Sequence, residues 1–242
     1  MKTILKKSLF SYLILCLIVL SCKNNKSTGN TENKKSSDTM PIFRTEIPAY
    51  IEKQYLKKFD LIISEHPNLV KKFTLDYINF EDLVKKYKNY SNVKFYFIQD
   101  AANSKMNLGV TFSNNSDYKD ISSDEKFVLI NSKLEEDENL QEKINFYRSS
   151  LATQIGFNGK RATECVVYTI SDIERYFKQR ENVGNGISKL DLTMIYFYKA
   201  KDDNGSDYNE DSINHDRISF AVHSVYKNGF VDTGYDAGDL KP

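Results

Sequence analysis

Tryptophan is absent from this 242-residue chain, and proline (four), cysteine (three) and histidine (three) are scarce. Each shortage excludes something. Sugar-binding platforms use exposed aromatic planes, often tryptophan, so any glycan surface here would have to be built from tyrosine. The three cysteines, Cys16, Cys22 and Cys165, include no C-x-x-C pair, and no two histidines have helical zinc spacing, which argues against a zinc site. No phosphate loop, dinucleotide fingerprint or Gly-x-Ser-x-Gly elbow occurs. Charge of one sign is lacking too: 34 basic residues face 33 acidic ones. That balance gives no electrostatic reason to bind nucleic acid or anionic lipid. What the chain does have is tyrosine (16) and phenylalanine (15), which supply much of the core volume.

The longest apolar run is at the N-terminus. Lys2, Lys6 and Lys7 precede the apolar stretch Leu9–Leu20. A helix needs about 20 apolar residues to cross a bilayer, so this shorter run fits the apolar region of an export signal. It ends in Val19-Leu20-Ser21-Cys22 and turns abruptly polar at Lys23-Asn24-Asn25-Lys26. This resembles the lipobox of bacterial lipoproteins, with Leu20 an unusual choice at its position. The resemblance implies that residues 1–21 are a signal peptide, that Cys22 is the lipid attachment site, and that the membrane is a partner through that lipid. Cleavage removes three lysines and no acids, leaving 31 basic and 33 acidic residues, a formal charge of −2. With Cys22 acylated, Cys165 is the one remaining thiol, so no intramolecular disulfide is expected.

Residues 22–40 are then the lipidated cysteine and a disordered tether of Ser, Thr, Asn, Lys and Gly. Such a chain spans about 25 Å. The folded part begins near Pro41. A helix is expected from about Pro48, with Ile51, Tyr55, Phe59 and Ile62 on one face and His66-Pro67 as its stop. A second is expected from about Glu136 to Thr153, with the stripe Leu140, Ile144, Tyr147 and Leu151. Between and after them stand two β-α-β-β patterns. The first reads as strand Phe73–Tyr77, helix Phe80–Lys88 capped by Asn79, strand Val93–Ile98 and strand Leu108–Phe112. The second reads as strand Thr163–Tyr168, helix Ile170–Lys178 capped by Thr169, strand Leu190–Tyr198 and strand Ile218–His223. Phe127–Ile130 adds a short strand. The two patterns match at an offset of 90 in the helix and 100 in the next strand. Either the chain is duplicated or two such segments look alike by chance. The expected fold class is α+β: a mostly antiparallel sheet with helices packed on one face, in units 41–132 and 133–242.

Among residues with chemistry, His66 reads as a helix-end residue, His215 as part of a polar loop and His223 as a strand residue. Cys165 reads as a buried, inert thiol in a strand, without the base or helix N-terminus a nucleophile needs. In Asp202–Asp211, Asp202, Asn204 and Ser206 have alternate-ligand spacing for Ca²⁺. However, Gly205 comes one place early, and no bidentate glutamate stands at the twelfth position. A solvated turn is the simpler reading. No catalytic residue, metal ligand or cofactor is expected.

The lipobox, the polar tether and the β-α-β-β units together resemble the small uncharacterised lipoproteins of flavobacteria and other Bacteroidetes, a group with no established activity. The resemblance implies a membrane-anchored envelope lipoprotein, a non-enzymatic module that binds an envelope protein or component and not nucleic acid. A hydrolase or glycan-binding accessory lipoprotein with a loop-built site is the alternative. In that group acidic residues after the lipidated cysteine accompany export to the cell surface. Here no acid precedes Glu32, nor does Asp succeed Cys22 as the enteric inner-membrane signal would require, so the periplasmic face of the outer membrane is the expected location.

Overall fold

A computed structural model describes residues 45–208, 214–236 and 238–242. The expected signal peptide, Cys22, the expected tether and Asn209–Asp211 of the acidic loop lie outside the described residues. The described residues belong to one compact unit.

The chain runs β1 (Thr45–Glu46), α1 (Ala49–Glu65), β2 (Lys72–Asp76), α2 (Tyr77–Lys86), β3 (Asn92–Gln99), β4 (Met106–Ser113), β5 (Glu125–Ile130) and β6 (Lys133–Glu136). It continues with α3 (Leu140–Ser149), α4 (Leu151–Gln154), β7 (Cys165–Thr169), α5 (Ile170–Arg180), β8 (Ile187–Phe197), β9 (Arg217–Tyr226), β10 (Tyr235–Asp236) and β11 (Asp239–Lys241). The fold is α+β, and every strand pairing described is antiparallel. The strands form two sheets, ordered β1-β10-β9-β8-β2 and β11-β7-β3-β4-β5-β6.

The sheets meet face to face across an aromatic core. Phe220 of β9 packs edge-on against Phe95 (5.7 Å) and Phe97 (6.3 Å) of β3, and Phe73 of β2 stacks on Phe97. Each sheet carries a helix on its other face. Helix α1 presents Tyr55 to Phe197 of β8 at 5.2 Å. Helix α3 buries Leu140 and Ile144 with Tyr96, Ile98, Cys165 and Val167 on the outer face of the second sheet. Gly109 makes that approach possible, because a Cβ there would stand 2.4 Å from Leu140 Cδ1. Strand β3 is buried on both faces along the whole of Val93–Gln99, with Lys94 and Gln99 as its polar members.

The two β-α-β-β patterns are both present, but they are interleaved. Strand β2 joins the sheet of β8 and β9, while β7 joins the sheet of β3 and β4. Helices α2 and α5 are the crossovers between sheets, and they touch through Tyr77–Phe177 (5.0 Å) and Phe80–Phe177 (5.9 Å). The boundary near residue 132 therefore divides the sequence, while each sheet draws strands from both sides of it.

Three expectations need correction. Helix α2 is capped by Asp76, not Asn79: Asp76 Oδ1 accepts from Asn79 N at 2.8 Å, and Asn79 Oδ1 instead accepts from Leu134 N at 2.7 Å. The helix expected from Glu136 starts at Leu140, because Asn131 and Ser132 adopt positive φ (49° and 68°) and turn the chain into a hairpin that claims Lys133–Glu136 as β6. That helix also breaks at Ser150. Finally, the offsets are 93 in the helices, from cap to cap, and 97 in the next strands. Asp76 faces Lys189 in one sheet and Thr169 faces Asn92 in the other, so Val93 corresponds to Leu190. The offset of 100 would have matched core-facing Val93 with Thr193, which lies on the outer face beside Asp191.

Thr169 does cap α5. Its Oγ1 accepts from Asp172 N at 3.2 Å and donates to Asp172 Oδ2 at 2.7 Å. Thr169→Ala is expected to cost about 1 kcal/mol, the usual worth of such a cap, and thermal unfolding would measure it as a fall of about 2–4 °C in Tm.

Candidate functional site

The sequence candidates do not converge. His66 closes α1, its backbone N–H donating to Ile62 O at 3.1 Å. His215 is buried. Burial pushes its imidazole below the ordinary 6.5, and the nearby Lys160 cation pushes the same way. Cys165 is fully buried inside β7, and burial pushes its thiol far up. In the acidic loop, Asp202 Oδ1 turns onto the loop's own amides, accepting from Asn204 N (2.9 Å) and Ser206 N (2.8 Å). Asp207 is tied to Lys201 at 2.6 Å. Both carboxylates thus serve the turn.

His223 is different. It sits on the outer face of the first sheet beside α1, at the edge of a groove of about 340 Å³ lined by Ala49, Glu52, Lys53, Leu56, Lys72, Asp191, Thr193 and Val231. Its Nε2 lies 2.7 Å from Glu52 Oε1 and its Nδ1 lies 3.0 Å from the carbonyl oxygen of Asp232. A carbonyl and a carboxylate oxygen flank the ring, an arrangement that favours the imidazolium with both ring nitrogens donating. Burial alone would lower its pKa. The Glu52 and Asp232 hydrogen bonds and the nearby carboxylate charges outweigh that and raise it above 6.5.

Two further links fix this corner. Asp191 on the groove floor accepts from Lys72 Nζ (2.8 Å) and Thr74 Oγ1 (2.7 Å). Burial works against its ionisation, but those two partners hold the carboxyl below its ordinary range. Behind His223, Asp232 Oδ1 accepts from Ser224 N (2.6 Å), and Asp232 Oδ2 pairs with Arg180 Nε (3.1 Å). The Arg180 guanidinium in turn lies over the rings of Tyr176 (3.8 Å) and Tyr235 (4.5 Å). The imidazolium therefore locks α1 to β9 and to the segment leading into β10.

Sequence reasoning places His223 on a strand but misses Glu52, Lys72 and Asp191. They come from α1, β2 and β8, and Lys72 reaches Asp191 because β2 is exchanged into the other sheet. The one available signal is Glu52, an acid on the buried stripe of α1, one residue from Ile51.

No known family matches this chain. Comparisons with family models, with curated proteins and with solved structures give no match.

Proposed function

We propose that the chain is a non-enzymatic binding module of the bacterial envelope, held to a membrane by lipid on Cys22 and displayed on the periplasmic face of the outer membrane. One observation carries the choice of binding over catalysis. In the groove, the carboxylates and the imidazolium are closed on one another: Glu52 on His223, His223 also on Asp232 O, and Asp191 on Lys72 and Thr74. A general base needs a free lone pair facing the substrate. An imidazolium with both nitrogens donating to protein acceptors has none. Such a set is suited to present fixed charge to a partner.

The hydrolytic or glycan-binding alternative has one observation in its favour, a histidine–carboxylate pair lining a cleft. The relay that hydrolases use leaves one ring nitrogen for the nucleophile, and here Asp232 O takes that position.

The test uses the native protein. Labelled palmitate is expected to enter the wild type and not Cys22→Ala, and external protease should cut the domain only after the outer membrane is opened. Detergent capture from the organism's own envelope is expected to retain a stoichiometric partner. Palmitate in the Cys22→Ala protein, or hydrolytic turnover abolished by His223→Gln, would overturn the reading.

A further inference from the structure

The strand registers align the two halves residue by residue. Asp191 occupies the place of Lys94, His223 that of Thr111, Lys72 that of Cys165, and Thr193 that of Tyr96. The candidate groove is thus the counterpart of a buried spot on the outer face of the second sheet. The two places differ in the connection that leaves the third strand of each pattern, β4 in one and β9 in the other. After β4 the chain makes an excursion, residues 114–124, before joining β5. This excursion folds back over the sheet. Lys94 Nζ donates to Asp117 O (2.8 Å) and Asp124 Oδ2 (3.0 Å), Tyr96 OH donates to Tyr118 O (2.9 Å), and Ile121 is buried beside them. After β9 a tight turn at residues 227–230 leads straight to Val231, which bridges back to Val225. Among the described residues the face at Asp191 is left as an open groove, with Val231 (48% exposed) on its wall and Phe230 (54%) next to it in the chain.

We infer that this groove is the docking site for an acidic peptide segment of a partner protein, which covers the first sheet as residues 114–124 cover the second. The inference rests on the binding-module reading and names its site and partner chemistry. Three cations, Lys53, Lys72 and the His223 imidazolium, line the groove against two carboxylates, Glu52 and Asp191. Both carboxylates are already held, Glu52 by His223 and Asp191 by Lys72 and Thr74, and Lys53 stands exposed at the rim. The uncompensated charge is positive, so an acidic segment is favoured and a basic one repelled. Leu56 and Val231 offer an apolar contact for one aliphatic side chain, the part that Ile121 plays in the second sheet. The segment that covers the second sheet has this composition, with Asp117, Asp120 and Asp124 around Ile121 and a single lysine, Lys119.

The test is a panel of fluorescent eleven-residue peptides added to the full-length lipidated protein in detergent, with binding read by anisotropy. The panel contains the sequence of residues 114–124, unrelated acidic peptides with one isoleucine, and neutral and basic versions of each. Acidic peptides are expected to bind at least about tenfold more tightly than neutral ones, and to weaken as salt is raised. Lys53→Glu and Val231→Asp lie at exposed positions and should leave Tm unchanged, and each should weaken acidic-peptide binding about tenfold. Lys53→Arg should retain it. Equal binding of acidic, neutral and basic peptides, acidic binding indifferent to both variants, or no binding up to about 1 mM (a free energy of about −4 kcal/mol) would each overturn the inference. In the last case a partner captured from the envelope would still uphold the binding module and move its site elsewhere.

Discussion

Asp124→Asn is expected to destabilise the domain by about 3–5 kcal/mol, the usual cost of leaving one member of a buried ion pair without its countercharge. Asp124 and Lys94 are the most deeply buried ion pair among the described residues, with side chains 1% and 0% exposed. The carboxylate holds Lys94 Nζ at 3.0 Å and accepts from Thr111 Oγ1 at 2.9 Å through the same oxygen, Oδ2. Oδ1 is buried with no hydrogen-bond partner. The amide keeps the shape and removes the charge, so Lys94 is left as an ammonium in a low-dielectric site with neutral acceptors, Asp117 O and the amide oxygen, and no countercharge. Calorimetry should show a Tm lower by about 6–20 °C, at about 2–4 °C per kcal/mol for a domain of this size. Removing both charges with Lys94→Met and Asp124→Leu should recover most of the loss, because two apolar side chains incur no desolvation penalty. A double variant as unstable as Asp124→Asn would show that the hydrogen bonds to Thr111 and Asp117, rather than the ion pair, hold residues 114–124 in place.

The same pair shows where the sequence stops being legible. Lys94 lies in Val93-Lys94-Phe95-Tyr96-Phe97, which alternation reads as a strand with a polar outward face. Its burial depends on residues 114–124 folding back over it, and a loop excursion leaves no periodicity to read. Features carried by local chemistry are legible. The stripe of α1, the Thr169 cap and the three strands of each pattern lie within a few residues of their expected places. Features carried by turns are not: Asn131-Ser132 adopts positive φ without a glycine, and the helical pattern runs on through the resulting hairpin. The strand exchange is not legible at all. The order β-α-β-β is the same whether the first strand stays in its own sheet or crosses to the other, and the choice is made by long-range pairing such as Leu75 with Leu190. The candidate groove is built by that choice, so of its residues only His223 stands out in the sequence.

His223→Leu is expected to cost about 3 kcal/mol near pH 6 and to remove the alkaline fall in stability. The cost arises from Glu52, whose side chain is 10% exposed and loses the imidazolium at 2.7 Å. Gly234 leaves Glu52 little room to turn away, since a Cβ there would already stand 2.9 Å from its carboxyl atoms. The pH dependence has a definite sign. The folded pKa of His223 is raised above the ordinary 6.5 by Glu52 and Asp232 against the opposing effect of burial. Its contribution is therefore fully present below pH 6.5 and is lost as pH rises through the folded value. His215 works in the opposite direction. Its folded pKa is lowered below 6.5 by burial and by Lys160, so its unfolded form binds the proton better, and stability falls as pH drops below 6.5. The two limbs together place the maximum of Tm near pH 6.5. The carboxyl of Asp191 is held low and titrates well below this window, and the buried tyrosines Tyr147 and Tyr176 are pushed above their ordinary 10, well above it. Thermal unfolding between pH 5 and 8, below the range where the Cys165 thiol of the unfolded chain ionises, should therefore show a descending alkaline limb in the wild type and a flat one in His223→Leu. The acid limb should survive in His223→Leu and vanish in His215→Leu. An alkaline limb unchanged by His223→Leu would mean that the ring is neutral in the folded protein. Its two acceptors would then have to be met in some other way, and the groove would lose its third cation.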